Sequence, residues 1–421
     1  MQHGEKIGDL NAALKLPCGV VLKNRLAKSA MTENLSNGAS QATVAHENLY
    51  GAWAQSGAGL IISGNVQVDR RYLEEAGNVA IDGVQSKEAL DALRRWAKAG
   101  TQNNTQLWMQ IGHAGRQTFT HINAKPVGPS DIKSPDRGSR KIGVPRPLEP
   151  QEIRDVIARF AFVAATARDV GFTGVQLHGA HGYLISAFLS PKANQRQDEW
   201  GGPLENRARL LLETIRAVRK KVGDDYPVAI KLNSSDFLEG GFTHAECLRL
   251  VGWLNEEKLD LIELSGGSYE SPAMAGIAVT DPSTQTSTNA GENYFLDYAR
   301  NIVNVAEMPI MVTGGFRDRQ AMSTALATGA LDVIGLARPF GAGPQAIADL
   351  LAGKAQKIRA IENETPTPLF SHFWCMAQIQ RMSRGEPVDP ALGLEEAQKT
   401  VLDFMRDVQA RYQYPEGVRP G

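Results

Sequence analysis

The apolar run Val175-Gln176-Leu177 ends on His178, and His181 and Tyr183 follow within five residues. Two imidazoles and a phenol therefore gather where a buried strand reaches its end. Imidazoles can donate hydrogen bonds to an oxygen that gains charge during a reaction, and a phenol can act as general acid when its neighbours stabilise the phenolate. The same residues also permit duller readings, as structural histidines satisfied by backbone groups or as a metal pair. The metal reading lacks a third ligand at suitable spacing and a helical HExxH, so no metal is expected.

Something must hold these groups in place, and the flanking pattern says what. Apolar strand candidates fall at 25–31, 57–66, 106–116, 174–177, 227–233, 259–267, 309–315 and 331–339. Helical patterns lie between them at 43–55, 86–99, 153–170, 204–222 and 293–306, and one more starts at a capping box formed by Thr243 and Glu246. Eight strand and helix units is the count at which parallel strands close, which predicts an α/β chain folded as a (β/α)8 TIM barrel. An open doubly wound sheet is the alternative that pattern alone leaves.

Residues 7–22 read as an N-terminal hairpin that plugs the barrel, and the Pro-, Ser- and Lys-rich stretch 117–147 reads as a lid after strand three. Residues 1–353 form the expected barrel domain. Residues 354–421, with a last helix at 395–412, form a C-terminal helical extension expected to pack on the barrel or on a neighbouring subunit, which leaves a homo-oligomer open.

In such a barrel the active site lies at the carboxyl ends of the strands. Those ends offer Met31 and Thr32, Gly64 and Asn65, Gln110, then His178, His181 and Tyr183, then Lys231, Gly314 and Gly315, and finally Gly335 and Arg338. Glycines let backbone N–H groups approach an anion and arginine adds planar donors, so the ends of strands seven and eight suit a phosphate. A primary amide at Gln110 can match the donors and acceptors of a flavin's pyrimidine edge, and a cation at Lys231 favours the reduced flavin. Together these favour flavin mononucleotide over a sugar phosphate.

The stretch HGAHGYLISAFLSP, followed by NQRQDEWGG and ENR, resembles the Old Yellow Enzyme family of flavin-dependent ene-reductases, and the likeness extends over roughly residues 7 to 350. KNRLAKSAMT resembles that family's first strand. The resemblance implies that Ser29, Ala30 and Met31 contact the flavin, that Thr32 lies near its C4 oxygen and N5, and that Gln110 binds the pyrimidine. It further implies that Lys231 replaces the usual arginine or lysine and that Gly314, Gly315 and Arg338 bind phosphate. Asn65 departs from the pattern, since many relatives carry a small residue there. The implied activity is FMN-dependent, with NAD(P)H as co-substrate, and reduces the activated C=C bond of an α,β-unsaturated carbonyl compound by a ping-pong mechanism. His178 and His181 would bind the carbonyl oxygen of an enone or enal and Tyr183 would donate the proton.

Composition narrows the rivals. With 45 basic and 46 acidic residues in 421, there is no positive excess to hold a nucleic acid. Cys18, Cys247 and Cys375 are too scattered for a disulfide framework or zinc site. The chain start reads as no leader and no run approaches a membrane span, so a soluble cytoplasmic protein without a membrane partner is expected. Two rival activities remain: an NADH oxidase or amine/alcohol oxidoreductase on the same flavin barrel, and a flavin-free lyase or aldolase using Lys231 as a Schiff-base lysine.

Overall fold

Among the described residues, 8–271 and 295–420 of a computed structural model, eight parallel strands close on themselves in sequence order. They are β1 Leu26–Lys28, β2 Leu60–Ile62, β3 Gln106–Gly112, β4 Gly174–Gly179, β5 Val228–Asn233, β6 Leu261–Ser265, β7 Ile310–Thr313 and β8 Val333–Leu336. The closing pair is β8 on β1, with Ile334 opposite Leu26 and Leu336 opposite Lys28. That pairing excludes the open doubly wound sheet and establishes the TIM barrel. Val66–Gln67 extends the wall by pairing with the end of β3.

The helices form where local chemistry starts and stops them. Those on the barrel are α1 Val44–Ala54, α2 Lys87–Gly100, α3 Pro150–Val170, α4 Arg209–Val222, α5 His244–Leu254, α6 Leu296–Ile302, α7 Arg319–Ala327 and α8 Pro344–Leu351. The expected capping box is present on α5, where Thr243 Oγ1 accepts from the Glu246 N–H and Glu246 Oε2 accepts from the Thr243 N–H. On α3, Pro150 opens the helix and Gly171, at φ 101°, closes it in the left-handed region. The helix expected at 293–306 is observed only at Leu296–Ile302. The sequence between strand six and that helix, which reads as a substrate-side loop, lies largely at 272–294, outside the described residues.

Inside the barrel, Ala27, Leu60, Ile62, Trp108, Ala229, Leu261, Met311 and Val333 form one buried cluster, and Leu14, Leu16 and Leu22 of the hairpin join it. Leu14 pairs with Leu22 across that hairpin, which thus seals the amino-terminal end as its sequence predicts. The polar end of the barrel is consequently the other one, where the loops leave the strands.

Two segments reach that polar end. In the lid, the Arg137 guanidinium lies over the Tyr269 ring, 3.1 Å from its centroid. In the tail, α9 Pro368–Ser383 packs on α1 and on the turn Arg338–Ala342, and α10 Leu394–Arg411 packs on α9. The chain after α10 then runs back to the loops: Gln413 N–H donates to Gly38 O at 2.8 Å, Tyr414 Oη to His121 O at 2.8 Å, and Ala124 N–H to Arg419 O at 2.9 Å. No helix among the described residues is long and apolar enough to cross a membrane.

Candidate active site

A cavity of about 600 Å³ opens at the carboxyl ends of the strands, and every site residue expected from the sequence lines it except Gly64. It falls in the size range of small-molecule and cofactor sites.

The floor is a continuous polar chain. Gln110 Nε2 donates to Gln176 Oε1 at 2.8 Å, and Gln176 Nε2 donates to Glu263 Oε2 at 2.7 Å. Glu263 Oε1 accepts from Ser29 Oγ at 2.5 Å and from Thr313 Oγ1 at 2.7 Å, and it pairs with Lys231 Nζ at 3.0 Å. Burial alone would raise the Glu263 carboxyl, but Lys231 and the bonds from Ser29, Thr313 and Gln176 outweigh it and hold the group below the usual carboxylate range. Gln176, Glu263 and Thr313 were not anticipated as site residues. The available signal was a polar side chain inside an otherwise apolar strand, as in GVQLHG and LIELS. Gly335 lies inside β8 rather than after it, and a Cβ there would collide with Thr313 Oγ1, so β7 and β8 can approach only because it is glycine.

One wall carries the reactive trio. His178 and Tyr183 have ring centroids 4.8 Å apart, and His178 and His181 are 5.1 Å apart, both in edge-on arrangements. Ala180 N–H donates to His178 Nδ1 at 3.3 Å, which fixes the neutral tautomer with its proton on Nε2. Burial, with the positive charge of Lys231, pushes His178 down to about 3, and burial, His178 and Lys231 push His181 well below its ordinary value. Both rings are therefore neutral at neutral pH. His181 Nε2 is engaged with Ser265 Oγ at 2.7 Å, leaving Nδ1. His181 also sits at φ 65°, a conformation costing a non-glycine residue about 1 kcal/mol, and Asn233 Oδ1 pins it there by accepting its N–H at 3.2 Å.

Tyr183 Oη meets Glu74 Oε1 at 2.5 Å and Tyr269 Oη at 3.2 Å. Burial, Glu74 and Tyr269 together raise the phenol well above its ordinary value. Thr32 and Asn65 join this group through Glu74, with Thr32 Oγ1 at 2.9 Å and Asn65 Nδ2 at 2.8 Å from Oε2. Glu74 lies in a loop between strand and helix patterns, and nothing in its local sequence marks it.

The far end of the cavity gathers Gly314 at φ 136°, Gly315 at φ 75°, Arg338 and Arg317. Arg317 pairs with Glu362 at 2.6 Å, yet its Nε is buried without a partner, and Arg338 forms no ion pair among the described residues. Unpaired donors beside two glycines suit a phosphate. Ala30 and Met31 face the cavity between this end and the floor, and Leu369, His372, Cys375, Met376 and Ile379 of α9 close it. The tail is thus part of the pocket wall, which its sequence did not reveal. These residues fit FMN, with a phosphate at one end and a ring edge that both donates and accepts at the other.

Fold and site together define a barrel oxidoreductase of the flavin class. The model of the NADH:flavin oxidoreductase / NADH oxidase family matches residues 14–357, and the chain belongs to that family. The NADH-dependent flavin oxidoreductase iliE of Hypocrea jecorina is 38% identical over 80% of this chain and 88% of its own. The NADH-dependent flavin oxidoreductase nadA of Aspergillus parasiticus is 35% identical over 87% of this chain and 84% of its own. Among solved structures, the old yellow enzyme homologue from Zymomonas mobilis superposes with a TM-score of 0.70 at 22% identity, covering 85% of this chain and 97% of that one. The resemblance to Old Yellow Enzymes therefore holds. The protein is a flavin oxidoreductase with FMN as cofactor and NAD(P)H as reductant, which removes the flavin-free lyase reading.

Proposed function

We propose that the protein reduces the activated C=C bond of an α,β-unsaturated carbonyl compound in a ping-pong cycle through one site. The observation that carries this reading is the wall on which a neutral His178, with its Nε2 proton available, stands 4.8 Å ring to ring from Tyr183. Bound FMN, reduced by NAD(P)H, supplies the hydride.

The chain's own residues do the rest. Gln110 and Lys231 would hold the pyrimidine edge, Ser29, Ala30 and Met31 would line the ring and ribityl chain, Thr32 would lie near the C4 oxygen and N5, and Gly314, Gly315 and Arg338 would hold the phosphate. Asn65 and Gly335 complete the lining. His178 Nε2 and His181 donate to the substrate carbonyl oxygen, where charge develops as hydride reaches the β carbon, so the donors lower the barrier. Tyr183 delivers the proton to the α carbon. The substrate is a small molecule, and residues 354–421 act as an extension that completes the pocket of the barrel at 1–353.

The test is the visible spectrum of the purified protein under anaerobic NADH or NADPH, then 2-cyclohexenone. The expected result is a flavin band that bleaches with the nicotinamide and returns with the enone. A band that returns only with oxygen would shift the function to an NADH oxidase on the same barrel.

A further inference from the structure

Tyr183 has a second phenol beside it. Its Oη stands 3.2 Å from Tyr269 Oη, and the two rings meet edge-on with centroids 6.2 Å apart. Tyr183 is 4% exposed, whereas Tyr269 lines the same cavity and is 37% exposed, so Tyr269 is the member of the pair that meets solvent. Both hydroxyls point at Glu74 Oε1, Tyr183 from 2.5 Å and Tyr269 from 3.4 Å.

The lid brings a positive charge to this pair. The Arg137 guanidinium lies 3.1 Å from the centroid of the Tyr269 ring, and Arg137 Nη2 donates to Gln117 Oε1 at 2.8 Å. Gln117 is fully buried and lies against the turn that carries His181 and Tyr183: a Cβ on Gly182 would stand 2.8 Å from Gln117 Nε2. Arg137 forms no ion pair among the described residues, and its Nε is buried without a partner. Its neighbour Arg140, by contrast, pairs with Glu75 and stacks over the Phe119 ring. Burial, Glu74 and Tyr269 push the Tyr183 phenol up, and Arg137 works against that rise.

A phenol gives up its proton more readily when the phenolate it leaves is stabilised. Glu74 accepts from all four of its partners, Tyr183, Tyr269, Thr32 and Asn65, which leaves Tyr269 as the neighbouring hydroxyl able to donate. A cation over an aromatic face draws on the ring's electrons and makes the O–H of that ring a stronger donor.

We propose that Tyr269, polarised by Arg137 of the lid, is a positioning residue that donates a hydrogen bond to Tyr183 Oη as the catalytic proton leaves. As hydride forms the C–H bond at the β carbon, the Tyr183 O–H bond breaks toward the α carbon and its electron pair stays on Oη. The Tyr269 O–H turns from Glu74 to that oxygen and keeps its own proton. The substrate gains one hydride and one proton, and water returns a proton to Tyr183 before the next turnover. Because Arg137 belongs to the lid, proton delivery is tied to a docked lid. This assignment rests on the ene-reductase reading.

The experiment is stopped-flow measurement of both half-reactions of the FMN-loaded enzyme, for wild type, Arg137→Met, Arg137→Lys, Tyr269→Phe and the double variant Arg137→Met/Tyr269→Phe. Methionine removes the charge, and lysine keeps a charge over the ring. Reoxidation by 2-cyclohexenone should slow about tenfold in Arg137→Met and in Tyr269→Phe. The double variant should be no slower than Tyr269→Phe, since the arginine acts through that ring. Arg137→Lys should stay within about threefold of wild type. Bleaching by NADH and reoxidation by ferricyanide, neither of which protonates a carbon, should change less than about twofold. A second readout needs no turnover: in an alkaline ultraviolet titration, the tyrosine signal that Tyr269→Phe removes should appear at higher pH in Arg137→Met than in wild type. A lysine variant as slow as the methionine one, losses that multiply in the double variant, equal losses with enone and ferricyanide, or an unmoved titration would each overturn the assignment. Wild-type enzyme that the enone cannot reoxidise would sink the underlying reading and this assignment with it, so the two failures are distinguishable.

Discussion

Lys231 Nζ lies 3.0 Å from Glu263 Oε1 at the floor of the cavity, so the cation proposed for the flavin's pyrimidine edge carries its own counter-charge. A reduced flavin gains negative charge at that edge, and the field it meets is the sum of the pair rather than a bare ammonium. Glu263→Gln should therefore raise the flavin midpoint potential by on the order of 30 mV, equivalent to about 1.4 kcal/mol for two electrons. Lys231→Met should lower it. Both variants break a buried pair and should cost about 3 kcal/mol of stability, visible as a lower melting temperature. An anaerobic dye titration reads the potential, and an unmoved value in both variants would place the pair outside the flavin's field.

Tyr183→Phe removes the only hydroxyl on that ring and leaves its edge contact with His178 in place. If the phenol hands over the proton, flavin bleaching by NADH changes little, while return of the band with an enone slows about 100-fold. Equal losses in both half-reactions would make Tyr183 a packing residue.

Much of this was legible in the chain because barrel strands are apolar runs with polar ends. His178 and Arg338 close or follow such a run, Gln110 and Lys231 fall in the carboxyl-terminal half of one, and those positions placed them at one end of the molecule. Glu263, Gln176 and Glu74 were not legible. The first two are single polar residues inside strands, readable only once closure shows which side faces the cavity. Glu74 comes from an irregular loop whose path is set by tertiary contacts. The α9 wall escaped for a related reason: a helix with apolar, aromatic and basic residues interleaved does not declare which face it buries.

The tautomer of His178 gives a sharper test of carbonyl binding. Phenols that imitate the enolate perturb a flavin spectrum when they bind above it, and His178→Ala removes one donor. Loss of one hydrogen bond to a developing anion is worth about 1.5 kcal/mol, so the phenol's Kd should rise roughly tenfold, and more in the double variant with His181→Ala. Unchanged titrations would remove both imidazoles from the substrate site.

Buried neutral histidines also set the acid limit of the fold. His46, His113 and His178 are pushed down to about 3, 4 and 3, in each case first by burial. The unfolded chain takes up protons at these sites below about pH 6.5, while the native state does not until far lower. Stability contributed by keeping them neutral is thus present above pH 6.5 and is lost as pH falls toward 4. The slope is up to about 1.4 kcal/mol per pH unit for each imidazole. Urea midpoints at pH 7 and 5.5 should differ accordingly, and His46→Gln should flatten the dependence by one proton's share.

The wall formed by α9 predicts where a tail substitution acts. Cys375 faces the cavity beside Arg338, its Sγ 3.7 Å from the Arg338 carbonyl oxygen, and Gly341 leaves no room behind it, since a Cβ there would stand 3.1 Å from Cys375 Cβ. A Cys375→Trp side chain must therefore project into the cavity at its phosphate end. The expected outcome is a folded protein whose FMN washes out on ultrafiltration, with Kd raised at least about tenfold, or about 1.4 kcal/mol. Met376→Ala, which only enlarges the same wall, should weaken binding less. Full FMN retention in Cys375→Trp would mean that the tail covers the barrel without shaping its site.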